Sequence, residues 1–326
     1  MDGIGDSYLK EQLQERRTRL LVSTAQSKEN SSVLRLLKEV DDALKRMEEG
    51  TYGLCETCHD CVEKDRLMAN PLLKYCLDHL TSEEQRALEL DLELASKVQG
   101  QFLPEQNVIY NGWEISYYYE PAGPVSGDYC DLIKSDDGNI FFLLGDVSGK
   151  GISASMLMAH LHAIFRTLIA LNLTLPEMVG RANRLFSQTT MADSYATLIC
   201  GRASQFGEVE LSNAGHCPAL ISQVGTVASF EATGLPVGIF PDGQFGTKTF
   251  RLQQGESVVI YSDGFSEARD LSNREYGTER LSSLLKKNFG LSAKKLIGLC
   301  TGDLLEFRQG HHQTDDLSMM VMRRLE

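Results

Sequence analysis

The sequence predicts an α+β protein, with packed antiparallel sheets covered by helices, behind a helical hairpin that runs into a metal-stabilised loop. Three observations predict it. From residue 107 onward, short β-rich runs (WEISYYYEP, IFFLLGDVS, YATLICGRAS, VELSNAG, ALISQVG, SVVIYSDG, LSMMVMRR) are bounded by Gly, Asp, Asn and Pro. Helical runs near 153–171, 176–190, 279–288 and 293–309 fall between groups of strands, not after each one, which disfavours βαβ units. Residues 9–49 carry helical apolar periodicity, and 51–80 carry four cysteines with little periodicity.

A chain of 326 residues has room for about two domains, and a 42% hydrophobic share supplies one large core and a small satellite. The net charge of −13 argues against a broad nucleic-acid surface, because phosphates repel it. It agrees with clustered carboxylates that serve hard cations. No run approaches the ~18 apolar residues of a membrane span, and the start, MDGIGDSYLKEQ, has no apolar signal core. The expected location is therefore the cytoplasm, with no membrane association. Cysteines with metal-like spacing near the N-terminus, and Cys130, Cys200, Cys217 and Cys300 scattered singly, fit a reducing compartment better than a disulfide framework.

In chain order, Leu9, Leu13 and Leu20 form a weak stripe, and Leu37, Val40, Leu44 and Met47 a strong one. The polar break at 27–32 between them makes a hairpin of two helical arms. After the cysteine-rich loop, Ser82 is suited to cap a helix with Glu84 in its first turn. Leu88, Leu92, Ala95, Val98 and Phe102 line one face, and Pro104 ends it. This reads as a connecting helix and a dimer seam. The domain expectation is 1–81 for the hairpin and loop, 82–105 for the connector, and 106–326 for the sheet-rich domain.

Cys55-x-x-Cys58 and Cys76-x-x-His79 are two like-spaced pairs, the pattern of one tetrahedral structural zinc site. Thiolates and imidazole suit Zn²⁺ far better than Mg²⁺. Cys61 and His59 are alternative ligands. A loop this short has little core of its own, so metal binding would supply folding energy. YGLCETC followed by RLMANPLLKYCLDH resembles the DksA/TraR zinc finger, over roughly residues 8–85. There are two departures: His79 stands where that family has cysteine, and the tip AQSKENSS lacks the acidic pair that those regulators insert into RNA polymerase. The resemblance therefore implies the zinc fold and a sensing, docking or dimerisation role, without the polymerase activity.

Acids recur at the ends of apolar runs: Asp128 and Asp131 in SGDYCD, Asp146 in FFLLGDVSGKG, Asp263 and Glu267 in VVIYSDGFSEA, Asp315 and Asp316 in TDDLSMMVM. Carboxylates beside buried strands need partners, and small neighbours permit close backbone approach to a ligand. An oxygen-only set calls for Mg²⁺ or Mn²⁺, and two such ions about 3.5–4 Å apart activate water and clamp a phosphoryl group. Gly149-Lys150-Gly151 lacks Walker spacing, so it reads as a turn into a helix with a solvated lysine. Asn213 and His216 in NAGHCP read as a structural turn first and a proton donor second. His160 and His162 read as helix residues, and His311 and His312 as loop residues.

The ordered set GDYCD, GDVSGKG, NAGHCP, GLPVGI, YSDGFSEA and DDLS resembles the metal-dependent protein phosphatases, the PPM or protein phosphatase 2C-like superfamily, in its bacterial SpoIIE/RsbU branch. The resemblance spans about residues 90–326. It implies an α-β-β-α sandwich with two cations between the sheets. Asp128, Asp146 (bridging), the Val147 carbonyl, Asp263 and Asp315 would be the ligands, and Asp131, Asp316 and Glu267 supporting groups. It further implies hydrolysis of phosphoserine or phosphothreonine on a regulatory protein, usually a STAS-type anti-sigma-factor antagonist. The competing expectations are a non-catalytic signalling module acting on transcription machinery through the zinc hairpin, and a phosphatase for small molecules.

Overall fold

The computed structural model describes residues 3–26, 31–80, 82–191 and 193–326. The chain divides into two compact units, Met1–Asp91 and Leu92–Glu326. In the first, α1 (Gly3–Gln26) and α2 (Ser31–Glu48) pack as a hairpin, pinned by an Arg17–Asp41 ion pair. Most of the expected polar break, including the centre of the AQSKENSS tip, lies outside the described residues. Leu9, Leu13, Val40 and Ala43 are buried together with Tyr52, Cys55, Val62, Leu67 and Cys76. The cysteine-rich loop thus borrows a core from the hairpin and does not rely on metal alone. Each large aliphatic side chain buried there contributes about 1.5–3 kcal/mol. The loop holds one short helix, α3 (Lys64–Ala69), and a single 3₁₀ turn at Leu77–His79.

The connecting helix α4 spans Ser82–Gly100, so the boundary between units falls within it. The side chain of Ser82, the expected cap, lies outside the described residues. One expectation about its apolar face needs correction. Phe102 is not helical but sits in the following turn, packed on the core of the second unit, and Val98 is half exposed. The exposed apolar stripe is Leu90, Leu94 and Val98, at four-residue steps.

The second unit contains, in order, β1 (Val108–Tyr110), β2 (Trp113–Glu120), β3 (Asp128–Lys134), β4 (Ile140–Val147), α5 (Gly151–Ile169), α6 (Leu175–Thr189), β5 (Ala196–Ala203), β6 (Glu208–Ala214), β7 (Ala219–Gln223), β8 (Thr226–Phe230), β9 (Lys248–Arg251), β10 (Ser257–Tyr261), α7 (Asp263–Ser266), α8 (Thr278–Lys287), α9 (Ala293–Arg308) and β11 (Leu317–Arg324). They form two antiparallel sheets, in the orders β1-β2-β11-β10-β7-β8 and β3-β4-β5-β6-β9.

The layering follows from the sequence of the central strands. In β4, Phe142 and Leu144 point between the sheets, whereas Phe141 and Leu143 point to α5 and α6. In β11, Met320 and Met322 point between the sheets, and Met319 and Val321 face α8 and α9. With alternate side chains on opposite faces, a continuous apolar run demands cover on both sides. The result is the expected α-β-β-α sandwich. Among the described residues α5 is the one helix long and apolar enough to cross a bilayer. Its apolar residues Met158, Leu161, Phe165 and Leu168 are buried in the sandwich. Thr174 and Glu177 close a reciprocal capping box at the start of α6.

Candidate metal centres

In the first unit, the Cys55, Cys58 and Cys76 sulfurs and a ring nitrogen of His79 all lie within 4.8 Å of one another. Cys58 Sγ is 3.7 Å from Cys76 Sγ, which is 3.2 Å from His79 Nδ1. Ligands on tetrahedral arms of about 2.0–2.3 Å have separations of about this size. The first knuckle is a tight turn: the Cys55 N–H donates to Asp60 O (2.8 Å) and the His59 N–H to Cys55 O (2.9 Å), with His59 at φ 61°. That turn leaves Cys61 exposed and outside the cluster, as it does His59. Burial disfavours the Cys55 thiolate, but the backbone N–H groups of Cys58, Cys76 and Thr57 outweigh it and pull the thiol down to about 6. The amide of Asp60 favours ionised Cys58, yet burial and the adjacent Cys55 and Cys76 thiols push it up to about 12. The Cys55 thiolate is thus favoured and the Cys58 thiolate disfavoured, a balance that a bound cation would shift toward ionised Cys58. The donor set fits a borderline-soft metal.

In the second unit, Asp128 opens β3 and is the direct cross-strand partner of Asp146 near the end of β4. Asp128 is therefore the first residue of its strand instead of following it, and Asp131 lies within the strand. From the other sheet, Asp263 starts α7 immediately after β10, and Asp315 and Asp316 lead into β11, the neighbour of β10. Burial raises the Asp146 carboxyl to about 7, reinforced by Asp263, Asp315 and Asp316 and opposed by Lys150. Burial, and next the charge of Asp146, hold Asp128 well above the usual carboxylate range, although the hydroxyls of Ser318 and Ser262 favour its ionised form. Asp263 is raised by burial, then by Asp315 and Glu267. Acids from both sheets thus meet at one end of the sandwich, where burial and mutual repulsion leave them short of positive charge.

Two sequence expectations change here. Lys150 is not simply solvated: its Nζ lies 3.0 Å from Asp315 Oδ2 and 2.8 Å from Thr314 O. The glycines beside the acids serve protein contacts more than ligand approach. A Cβ on Gly264 would collide with the Asp316 carbonyl, and one on Gly145 would lie 2.6 Å from Thr197 O. Gly127 does face the acids. A Cβ there would sit 3.2 Å from the Val147 carbonyl oxygen and 3.5 Å from Asp146 Oδ1.

The family described as Stage II sporulation protein E (SpoIIE) matches residues 136–325, more than half of the chain. The chain belongs to the SpoIIE family. A second match, the prokaryotic dksA/traR C4-type zinc finger, covers residues 50–78 and stops one residue short of His79. Protein IcfG of Synechocystis is 26% identical over 72% of this chain and 42% of its own length. Phosphoserine phosphatase RsbU of Bacillus subtilis is 26% identical over 74% of this chain and 72% of its own. The chain thus spans less than half of IcfG and under three quarters of RsbU. Among solved structures, the SiaA-PP2C domain of Pseudomonas aeruginosa superposes with a TM-score of 0.66 at 16% identity, over 76% of this chain and all of that one. That likeness establishes a PP2C-like fold.

Around the acids, this SpoIIE-family domain builds a support that sequence reasoning missed. The Ser318 hydroxyl donates to Asp128, and the Ser318 N–H donates to Ser262 Oγ (3.0 Å), so the ends of β10 and β11 are tied to β3. Asp316 accepts the N–H groups of Ala122 (2.7 Å) and Gly127 (2.9 Å), which latches the segment before Asp128. The available signal was a serine one residue before Asp263 and another two residues after Asp316. Asp131, fully buried, receives Nε and Nη2 of Arg166 at 2.8 and 2.7 Å, with His162 Nε2 3.7 Å away and stacked on Phe102. It braces α5 on β3 and is turned away from the other acids by strand alternation. Asn213 clasps its own turn, accepting the His216 N–H (2.8 Å) and donating to the His216 and Cys217 carbonyls. His216 is buried, with Nδ1 2.7 Å from Thr197 Oγ1. Glu267 lines a cavity with Asp263, Asp315, Arg269, Arg308 and His312. His160 meets Thr189 Oγ1 at 3.3 Å, and His311 Nδ1 lies against the His312 carbonyl at 3.1 Å.

Proposed function

We propose that this chain is a metal-dependent phosphatase that hydrolyses phosphoserine or phosphothreonine on a regulatory protein. The observation that carries the proposal is the meeting of Asp128, Asp146, Asp263 and Asp315 at the open end of the sandwich, with three of the four carboxyls raised by burial and by each other. Two Mn²⁺ or Mg²⁺ ions suit this all-oxygen set. Asp128, Asp146, the Val147 carbonyl, Asp263 and Asp315 would hold them. Bound there, such ions supply an activated water and Lewis-acid stabilisation of phosphoryl charge. The chain's own residues position the donors. Ser318 and Ser262 orient Asp128, and Asp316 fixes the approach to β3. Close packing at Gly127 keeps the Val147 carbonyl beside Asp146.

Similarity to the phosphoserine phosphatase RsbU supports phosphoserine as the substrate, and the family resemblance supports a STAS-type regulator as its carrier. We assign one structural Zn²⁺ to Cys55, Cys58, Cys76 and His79. We also assign residues 1–81 to a zinc hairpin, 82–105 to a connector through which two copies pair, and 106–326 to the catalytic domain. Thiolate ligands that must stay reduced favour the cytoplasm.

The test is hydrolysis of an aryl phosphate and of a phosphoserine protein by the full chain. Activity is expected with Mn²⁺ and not with EDTA, and Asp146→Asn and Asp263→Asn are expected to abolish it while circular dichroism stays unchanged. Full activity in Asp263→Asn would overturn the assignment.

A further inference from the structure

We infer that Lys150 is a built-in counter-cation of the acidic cluster, holding Asp315 in the metal-free enzyme and leaving it when a divalent ion takes that carboxylate. The inference rests on the metal-dependent reading above and concerns how the site is kept assembled before metal arrives.

Both oxygens of Asp315 are already engaged. Oδ1 accepts the N–H of Asp316 at 3.0 Å, and Oδ2 receives the Lys150 ammonium at 3.0 Å. Lys150 also donates to the Thr314 carbonyl at 2.8 Å, so one side chain secures two successive residues of the loop that enters β11. Its reach is wider than that pair. Asp315 leads into β11 beside β10, whereas Lys150 follows β4 of the other sheet, so the contact joins the two sheets at the acidic end. One ammonium thus ties the end of one sheet to an acid of the other.

A divalent ion bound through Asp315 Oδ2 would lie within repulsive range of that ammonium, because both would contact the same oxygen. The lysine must therefore withdraw. Two features make withdrawal easy. The pair is exposed, at 70% for the Lys150 side chain and 45% for Asp315, and exposed ion pairs are weak. Lys150 also lies between Gly149 at φ 100° and Gly151 at φ 71°, left-handed positions that glycine occupies without strain. The turn is three residues beyond Val147, so the lysine is carried by the backbone that would itself hold a cation. Lys150 is then a positioning residue. It keeps Asp315 aimed at the cluster and competes with the ion for it.

The experiment is Mn²⁺ titration calorimetry on the full-length chain, with the metal-free thermal midpoint measured alongside. Lys150→Met keeps the stem and removes the charge, and Lys150→Arg keeps the charge. For Lys150→Met the weaker Mn²⁺ step is expected to tighten about two- to fivefold, the range that an exposed ion pair corresponds to. The metal-free midpoint is expected to fall at the same time. Lys150→Arg is expected to track the wild type in both. Unchanged or weaker Mn²⁺ binding by Lys150→Met, with two ions still bound, overturns the counter-cation and leaves the phosphatase reading intact. No Mn²⁺ uptake by the wild type overturns both.

Discussion

Asp146, near the end of β4, and His216, just past the end of β6, flank Thr197 of the intervening β5, yet burial drives their protons in opposite directions. Burial lowers His216 to about 4, opposed by the backbone at Tyr261. In the unfolded chain a histidine titrates near 6.5. Between about 6.5 and 4 the unfolded state therefore binds the extra proton, and stability falls as the pH falls. The effect is absent above that window and complete below it, at roughly 3 kcal/mol. His216→Gln cannot titrate. In urea unfolding at pH 7 and pH 5, the wild type is expected to lose stability relative to this variant at the lower pH. A constant difference between them would contradict the burial argument. Gly264→Ala is a second case. The new methyl meets the Asp316 carbonyl, where backbone and not a flexible side chain would have to yield. Overpacking of this kind costs about 1–3 kcal/mol, and the same shift would move Asp316 off Ala122 and Gly127. Both a lower thermal midpoint and weaker Mn²⁺ binding are expected, whereas Gly298→Ala, in open space inside α9, should be slightly stabilising, by about 0.5–1 kcal/mol, without effect on Mn²⁺ binding.

At the scale of elements, α4 and the zinc loop each have a separable test. Leu90, Leu94 and Val98 expose 65%, 62% and 50% of their surfaces along one face of α4. An apolar stripe at this spacing suits a second helix. If two copies pair there, light scattering should give a dimer mass that Leu94→Asp halves. A dimer mass retained in Leu94→Asp would place the seam elsewhere. In the zinc loop, a chelator strong enough to strip thiolate-bound metal is expected to loosen residues 51–80, seen as faster amide exchange. The hairpin core of Leu9, Leu13, Val40 and Ala43 should protect α1 and α2 in part. Equal exchange with and without chelator would remove the structural role of the metal.

At the scale of the whole molecule, the sandwich holds its acids together against their repulsion. The folded Asp146 carboxyl, raised to about 7, is higher than in the unfolded chain. Its charge therefore weakens the metal-free fold above pH 7, and this penalty is relieved as the pH falls toward 4. A divalent ion reverses the balance by stabilising the ionised form. The rise in thermal midpoint on adding Mn²⁺ is accordingly expected to be larger at pH 8 than at pH 6. A shift independent of pH would mean that these carboxyls do not bind the ion.

The chain's linear pattern determined the local features: the arms of the hairpin, the paired zinc ligands, the strands read as apolar runs, and the acids that mark their ends. Each depends on residues within a few positions of one another, where helical or strand periodicity and ligand spacing have direct physical meaning. What tertiary structure alone decided was which partners meet. Ser318 reaches Asp128 across 190 residues, and Asp316 reaches Ala122 across 194. Lys150, still exposed, pairs with Asp315, Asp131 turned to Arg166, and the exposed stripe on α4 is Leu90, Leu94 and Val98. These outcomes depend on strand order and on the stacking of two sheets. That arrangement minimises the free energy of the entire core at once, and no short stretch of sequence encodes it.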